Sequence, residues 1–268
     1  MTPIRYLHLD VFADGPFGGH ALIVCLDSCP ESAMASVSHE FNLVVAFPRS
    51  TSYGRYQVRI FEHGHELPFG AQPTLGAAWS LGPGTWRQDS TGASVDVEVT
   101  DRGARMGMPD PLLERVADSS LLARIRKVLG LASVEGAYRA NCGGNTHLLV
   151  PTREDIAQIK ADPAAVTQVC EAAGMNTLSP FCPDGAASDL KQRIFAPRMG
   201  IQESPSVGTA AAAAALYAFG SWSAGADVRV RQGHSVGRPS LITVHTEHGA
   251  MTVAGSVRQF AEGTFTLG

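Results

Sequence analysis

Three short segments of the sequence occur twice, and this repetition constrains the fold more than any other feature. The pairs are GGHALIV at 18–24 and GGNTHLLV at 143–150, RIF at 59–61 and at 193–195, and PTLGAA at 73–78 and PSVGTA at 205–210. They follow one another in the same order, each offset by about 130 residues. Short Gly- and Ala-containing strings recur by chance, but three in register rarely do. The repetition therefore predicts two homologous halves.

The length of 268 residues suits two units of about 130 residues each. We expect the N-terminal half to cover residues 1–118, completed by a C-terminal strand at about 256–268. The C-terminal half would then cover residues 125–255.

Alternation of apolar and polar residues predicts strands, and runs of small or apolar residues between Pro and Gly predict two central helices. The predicted strands are 4–12, 20–26, 55–62 and several antiparallel strands within 227–258, and the predicted helices are 32–43, 74–81 and 206–220. The last helix is apolar on every side, so we expect it to be buried. The predicted fold class is α+β, with two pseudosymmetric halves that each wrap a curved, mostly antiparallel sheet around a buried central helix.

Five segments together resemble the PhzF-like family of phenazine-biosynthesis isomerases. They are HLDVFADGPFGGHALIV at 8–24, ELPFGAQPTLG at 66–76, GIQESPSVGTA at 200–210, GRPS at 237–240 and VAGSVRQFAEGTFTL at 253–267. The resemblance covers nearly the whole chain. It implies the fold of diaminopimelate epimerase, an active site in the cleft between the halves, and often a homodimer.

The sequence departs from the acid–base residues that the resemblance implies. The family has Glu after an Asn-Leu-Ser motif, where this chain has Val45, and His before the first Pro, where it has Gln72 after Ala71. The family's Asp before the second Pro is Ser204 here. None of these three replacements titrates near neutrality. We expect Val45, Ala71, Gln72 and Ser204 to shape or bind the substrate rather than to carry a proton.

His20 is the strongest candidate for a relocated proton carrier, because its imidazole ordinarily titrates near neutrality. It lies in the first Gly-Gly turn, and its counterpart in the second turn is Asn145, followed by His147. A turn histidine bonded to the backbone is the competing interpretation. Glu203 is a second catalytic candidate, although it could equally act as a charge partner at a helix start. Asn145 and His147 are substrate-binding candidates, but strand alternation could also bury His147 between strands.

Each Pro-[Thr/Ser]-x-Gly segment is predicted to open a helix, with Pro73 or Pro205 in the first turn. Free N–H groups at two facing helix starts would attract an anion. We expect a carboxylate to bind there through backbone N–H groups near Gly76 and Gly208 and through the hydroxyl of Thr209.

The composition limits the kinds of partner and cofactor that we expect the protein to bind. The net charge of −4 gives no electrostatic reason to expect nucleic acid or an anionic membrane. No apolar run approaches the roughly 18 residues of a membrane helix. Five cysteines without a CxxC pair favour reduced thiols in a cytoplasmic protein. We expect no metal, because the histidines of the HGHE string at 63–66 have no evident third ligand, and no cofactor.

The leading hypothesis is a cofactor-independent isomerase that moves a proton or double bond on a small carboxylate-bearing metabolite. Its setting would be secondary metabolism, including antibiotic biosynthesis. A ligand-binding or scaffold protein that has lost its chemistry is the main alternative. An epimerase or racemase is disfavoured, because the symmetric acid–base pair is missing.

Overall fold

A computed structural model describes residues 3–89, 94–185, 189–220, 225–247 and 250–267. The predicted halves also include residues 1–2, 90–93, 186–188, 221–224, 248–249 and 268, which lie outside the described residues. The first series of elements is β1 (Ile4–Val11), β2 (His20–Cys25), α1 (Glu31–Phe41), β3 (Val44–Ser52), β4 (Arg55–Glu62), β5 (His65–Leu67), α2 (Ala71–Ser80), β6 (Gly84–Asp89), β7 (Ser94–Thr100) and β8 (Gly103–Met108). Strand β9 (Leu112–Arg115) and helix α3 (Ser119–Leu129) follow it.

The second series repeats the first. It comprises β10 (Tyr138–Cys142), β11 (Asn145–Pro151), α4 (Pro163–Ala173), β12 (Thr177–Pro183), β13 (Leu190–Gln192), β14 (Ile194–Phe195), β15 (Glu203–Ser204), α5 (Gly208–Phe219), β16 (Ala226–Gln232), β17 (Ser240–Glu247) and β18 (Ala250–Phe265). Short 3₁₀ turns occur at Ile156–Gln158, Pro197–Met199 and His234–Val236.

The strand pairing has the same order in both series. An antiparallel hairpin (β1–β2, β10–β11) leads through a helix to a parallel strand (β3, β12), and an antiparallel partner follows (β4, β13). The central helix then crosses to a second parallel pairing (β4–β6, β13–β16), and an antiparallel meander closes each series. The predicted α+β fold with two pseudosymmetric halves is therefore confirmed.

The two central helices, α2 and α5, are buried inside the strands. The first eight residues of each are buried, including the six consecutive alanines Ala210–Ala215. Small side chains allow the strands to approach these helices closely; a Cβ added at Gly76 would collide with Leu22. Both helices belong to one hydrophobic core. The outer helices pack elsewhere: α1 lies over one separate core, and α3 and α4 share another.

Strand β18 connects the two halves. It pairs with β17 of the second series and with β8 and β1 of the first, and the last pairing runs from Val11 with Val257 to Ile4 with Phe265. The boundaries at 1–118 and 125–255 stay a prediction. No helix in the described part of the chain is long and apolar enough to span a bilayer.

The predicted starts of both central helices need correction. Helix α2 begins at Ala71, so Pro73 is the third helical residue, whereas α5 begins at Gly208, three residues beyond Pro205. The alignment of PTLGAA with PSVGTA is therefore wrong, because Gly76 lies in the middle of one helix while Gly208 opens the other.

Strand register gives the correct alignment of the two helix starts. Ile60 pairs with Leu67 as Ile194 pairs with Ser204, and Phe61 pairs with Glu66 as Phe195 pairs with Glu203. Residues 66–72 (ELPFGAQ) therefore correspond to residues 203–209 (ESPSVGT). By this register Ala71 corresponds to Gly208, and Gln72 corresponds to Thr209.

Candidate active site

A cavity of about 70 Å³ lies where the starts of α2 and α5 meet. That space could hold several water molecules or part of a small organic molecule. Its wall comes from both halves, with residues of β2, β3, β4 and α2 on one side and of β11, β15 and α5 on the other. Apolar side chains dominate the wall, among them Leu67, Phe69, Met199, Ile201 and Val207.

Both helix starts at this cavity lack a side-chain cap. The residues before them, Gly70 and Val207, make no capping bond, whereas Asp118 and Asp162 cap helices α3 and α4. The first backbone N–H groups of a helix have no partner within it and carry its partial positive charge. The two starts are in contact, since a Cβ added at Gly208 would lie 2.7 Å from the Cβ of Ala71. Two sets of free donors therefore meet at one cavity.

A buried carboxyl group, that of Glu62, also lines the cavity. Glu62 ends β4 directly opposite Val44 of β3, and it is 7 % exposed. Burial raises the pKa of this carboxyl to about 7. Its side chain has no hydrogen-bond partner among the described residues. Glu62 therefore exchanges a proton near neutrality, as a general acid or base must.

Sequence reasoning missed Glu62, although its signal was present. Tyr56, Val58 and Ile60 alternate along β4 toward the core around α2. The next inward position is Glu62, and an ionisable residue at the inward end of an apolar series is unusual.

The position related to Glu62 by the internal repeat carries no acid. Glu62 follows Phe61, and Ala196 follows the matching Phe195. Both Glu62 and Ala196 line the cavity. The carboxyl group is therefore on one wall alone of an otherwise pseudosymmetric cavity.

His20 lines the cavity, as predicted, but its ring is held by the backbone. Its Nδ1–H donates to the carbonyl oxygen of Ser206 at 3.0 Å. Burial lowers the pKa of His20 to about 4, and the Ser206 hydrogen bond offsets only part of that effect. His20 is therefore neutral near pH 7, with Nε2 as an acceptor. Asn145, its counterpart, also lines the cavity and donates to the Phe69 carbonyl at 3.4 Å.

His147 lies behind the cavity wall rather than in it. Its ring is 2 % exposed and bridges two hydroxyls, with Nδ1 2.9 Å from Thr177 Oγ1 and Nε2 2.9 Å from Thr209 Oγ1. Burial lowers the pKa of His147 to about 4, so one ring nitrogen donates and the other accepts. Thr209 lines the cavity, so His147 can influence a ligand through that hydroxyl alone.

Two further candidates from the sequence, Glu203 and Val45, also lie outside the cavity. Glu203 accepts two bonds from the Arg193 guanidinium, at 3.0 and 2.7 Å, and both side chains are almost fully buried. Its counterpart Glu66 binds Arg59 in the same two-bond geometry. Both carboxylates thus pair with the equivalent arginine of the two RIF segments, and this ion pair holds Glu203 outside the cavity. A catalytic role for Glu203 stays a prediction that this placement does not support.

Val45 is the second correction. Alternation along β3 directs Val44 to the cavity and places Val45 in the core under α1, beside Met34 and Val37. The residue of β3 that lines the cavity is therefore Val44, one position before the predicted Val45.

The remaining predicted binding residues, Ala71, Gln72, Ser204 and Gly208, all line the cavity. Gln72 uses its amide internally, donating to the Ala21 carbonyl at 2.9 Å. Ser204 donates to the Ser206 carbonyl at 3.3 Å.

Ser206 is a site residue that the sequence analysis does not predict. It lines the cavity, and its buried hydroxyl has no partner among the described residues. Unpaired buried hydroxyls are rare, which makes Ser206 a ligand-binding candidate.

Comparisons with known proteins find one family and several relatives that are named isomerases. The family described as phenazine biosynthesis-like protein (PhzC-PhzF) matches residues 9–263. A trans-2,3-dihydro-3-hydroxyanthranilate isomerase from Pseudomonas fluorescens is 28% identical over 98% of this chain and 99% of its own length. A PhzF family protein of Bacillus anthracis superposes with a TM-score of 0.87 over both whole chains at 18% identity. A hydroxyproline epimerase of Agrobacterium vitis with bound trans-4-OH-L-proline superposes with a TM-score of 0.65 at 13% identity, covering 99% of this chain and 93% of that one.

Proposed function

The chain belongs to the phenazine biosynthesis-like (PhzC-PhzF) family, whose curated relatives are named isomerases, and we propose that it is a cofactor-independent isomerase acting on a small carboxylate-bearing metabolite. The reaction would relocate a proton and with it a double bond, in a pathway of secondary metabolism. The observation that carries this proposal is the pair of uncapped helix starts that meet at one cavity.

A carboxylate is the ligand group that fits these donors. The first-turn N–H groups of α2 and α5 would bind one or both of its oxygens, and the partial charge at each helix start favours an anion. None of the residues lining the cavity is Lys or Arg, so the helix ends supply the positive potential. The hydroxyls of Thr209 and Ser206 could add hydrogen bonds.

The same donors suit the chemistry of proton relocation. Removing a proton from a carbon conjugated to the carboxylate spreads negative charge onto its oxygens. Preorganised N–H groups aimed at that charge stabilise the transition state more than the ground state. The apolar remainder of the wall excludes water and strengthens these interactions.

Substrates of the relatives support the ligand class. The Pseudomonas enzymes are named for trans-2,3-dihydro-3-hydroxyanthranilate, and the structurally similar epimerase holds a hydroxyproline. Both compounds are small carboxylic acids. The cavity of this chain carries an acid on one wall alone, which favours an isomerase over a racemase that needs an acid–base group on each face of the substrate.

Hydrogen exchange with solvent tests the function. The protein would be incubated in deuterated water with trans-2,3-dihydro-3-hydroxyanthranilate and with the simpler probe but-3-enoate, and both would be analysed by mass spectrometry. We expect deuterium at carbon, with a shifted double bond, in at least one probe. Binding of both probes with neither a shifted double bond by proton NMR nor exchange above the protein-free rate would contradict the isomerase and favour the ligand-binding alternative.

A further inference from the structure

We propose that Glu62 is the group that removes the proton from the substrate and returns it at a second carbon. This inference rests on the proposed function, and it assigns the proton transfer to a residue whose counterpart in the internal repeat, Ala196, carries no acid. Glu62 would thus be a catalytic residue, and His20 a neutral hydrogen-bond partner.

The position of Glu62 carries the proposal. Strand β4 ends at the cavity, and alternation directs Glu62 to the same side as Ile60, toward helix α2. Val44 lies directly across from it on β3 and adds no polar atom. The carboxyl group is therefore buried in the wall that the two helix starts complete, with no described residue to neutralise it. Leaving a carboxyl unpaired in such a place is costly unless a ligand uses it.

The other ionisable group of the cavity is not suited to this role. His20 donates through Nδ1 to the Ser206 carbonyl, which fixes its tautomer. Accepting a proton on Nε2 would create a buried imidazolium, which its environment opposes. Glu62 gains or loses its proton near neutral pH by comparison. Among the cavity-lining residues, Glu62 therefore matches the energetic requirement for both proton uptake and release.

The proposed step balances without an oxidant or reductant. The ionised Glu62 carboxylate takes a proton from carbon, and the electron pair of that C–H bond moves into the conjugated system to give a dienolate whose charge rests on the substrate carboxylate. Protonated Glu62 then donates the same proton to another carbon of the system. The double bond has shifted, and Glu62 is ionised again.

The one-sided wall adds a stereochemical consequence. Ala196 replaces the acid at the related position, so the proton leaves and returns on the face of the substrate that contacts β4. The proton held by Glu62 returns in part to the product if it exchanges with solvent more slowly than Glu62 passes it to the second carbon. Substrate labelled at the migrating position should accordingly keep some deuterium after turnover in ordinary water.

Three variants test the assignment. Glu62→Gln keeps the shape but cannot accept a proton, Glu62→Asp keeps the acid, and Glu40→Gln is a matched control on the exposed surface of α1. We expect exchange to fall at least about 100-fold in Glu62→Gln and to be partly retained in Glu62→Asp. The wild-type rate should rise with pH to a plateau above neutrality, and Glu40→Gln should behave like the wild type. Wild-type exchange rates in Glu62→Gln would overturn the proposal while leaving the isomerase function intact.

A binding measurement separates failure of this inference from failure of the function. Benzoate, a carboxylate with no proton to relocate, would be titrated calorimetrically at pH 7 in two buffers of different ionisation enthalpy. An anion bound beside Glu62 raises the affinity of that carboxyl for a proton, so the wild type should take up a fraction of a proton that Glu62→Gln does not. Equal uptake in both proteins would contradict the placement of Glu62 beside the carboxylate, whatever the outcome of the exchange assay.

Discussion

Glu62 illustrates, at the scale of single residues, how a functional group can oppose stability. A carboxyl at the end of a buried apolar series must either keep its proton or be ionised without a partner. At that position an apolar residue would pack with Ile60 and Val44 at no such cost. The structure thus combines a useful acid with a local instability, which is common where residues are selected for chemistry.

This instability can be measured as a pH dependence. Folding raises the pKa of Glu62 from about 4.5 to about 7, so the native state binds more protons than the unfolded state between these values. The free energy of unfolding should therefore fall as pH rises from about 4.5 to 7, and Glu62→Gln should remove that loss. We expect Glu62→Gln to be about 2–3 kcal/mol more stable than the wild type at pH 8 and nearly equal to it at pH 4. Urea unfolding at both pH values checks this; equal differences at both would contradict it.

The buried histidines His20 and His147 make the free energy of unfolding depend on pH in the opposite direction. Burial lowers the pKa of each to about 4, below the unfolded value of 6.5, so the unfolded state binds more protons between those limits. Their contribution to stability is complete above about pH 6.5 and is lost as pH falls toward 4. We expect NMR signals of both rings to titrate near pH 4. Titration of either ring near pH 6.5 would show that it is solvated rather than buried.

Thr209 connects the cavity to His147. Thr209→Ala would leave a ring nitrogen of His147 without a partner in a buried setting, which should reduce the free energy of unfolding by about 1–3 kcal/mol. The same change should weaken carboxylate binding by about 1–2 kcal/mol. Thr209→Ser keeps the hydroxyl and serves as the control for both effects. Urea unfolding measures the first effect, and calorimetric titration with benzoate measures the second. A wild-type affinity for benzoate in Thr209→Ala would rule out the hydroxyl as a ligand.

The residue scale is also where sequence reasoning was weakest. It selected His20, Gln72, Asn145, Ser204, Gly208 and Thr209, which all line the cavity. It placed Glu203 at the site because ion pairing with Arg193, ten residues away, is not visible from sequence spacing. It selected Val45 instead of Val44 because a one-residue error in register reverses which side of a strand faces the core.

At the scale of elements, the contact between the two helix starts determines the cavity. Gly208 has no side chain and so allows the start of α5 to approach Ala71 of α2. Because a helix has its strongest anion affinity within the first turn, separating the two starts would divide the donors between two weaker sites.

Gly208→Ala tests this contact. The added methyl group would lie 2.7 Å from the Ala71 Cβ, so the helices must shift, and we expect a destabilisation of about 1–3 kcal/mol together with weaker benzoate binding. The double variant Ala71→Gly with Gly208→Ala exchanges the two side chains and should restore much of both. Gly107→Ala is the matched control, because nothing lies within 4 Å of its added Cβ. No rescue by the double variant would mean that the Ala71 contact is not what limits the approach.

Helices and strands could be predicted where the residue pattern within a single segment defines them. The alternation in 55–62 predicts the bounds of β4, and the apolar run before Gly220 predicts a buried helix. The sequence predicts the start of α5 at 206 because Pro is a common first-turn residue, but Pro205 lies in the three-residue connection between β15 and α5. The correct alignment of the helix starts depends on strand pairing, which a single sequence does not display.

At the scale of the whole molecule, the chain closes on itself through β18. This strand pairs with β1 at the beginning of the chain and with β8 and β17, so neither half has a complete sheet alone. The central helices also share one core. The two halves predicted from the repeat thus have the same topology, but each depends on the other for its stability.

This joining predicts one cooperative unfolding transition. Trp79 and Trp86 belong to the first series, whereas Trp222 lies in the predicted C-terminal half. In a Trp222→Phe variant the fluorescence therefore reports mainly on the N-terminal half, while far-ultraviolet circular dichroism reports on both. We expect the two signals to change at the same urea concentration. Separate midpoints would instead support halves that fold independently.

The central claim is that a carboxyl group in the cavity between the halves exchanges its proton near neutrality beside a bound carboxylate. Carbon-13 NMR of protein labelled at glutamate carboxyl carbons measures this directly, with Glu62→Gln identifying the resonance. The account predicts that Glu62 titrates near pH 7 in the free protein and at higher pH when benzoate is bound, because the two negative charges repel. Titration near 4.5 that benzoate leaves unchanged would contradict the account.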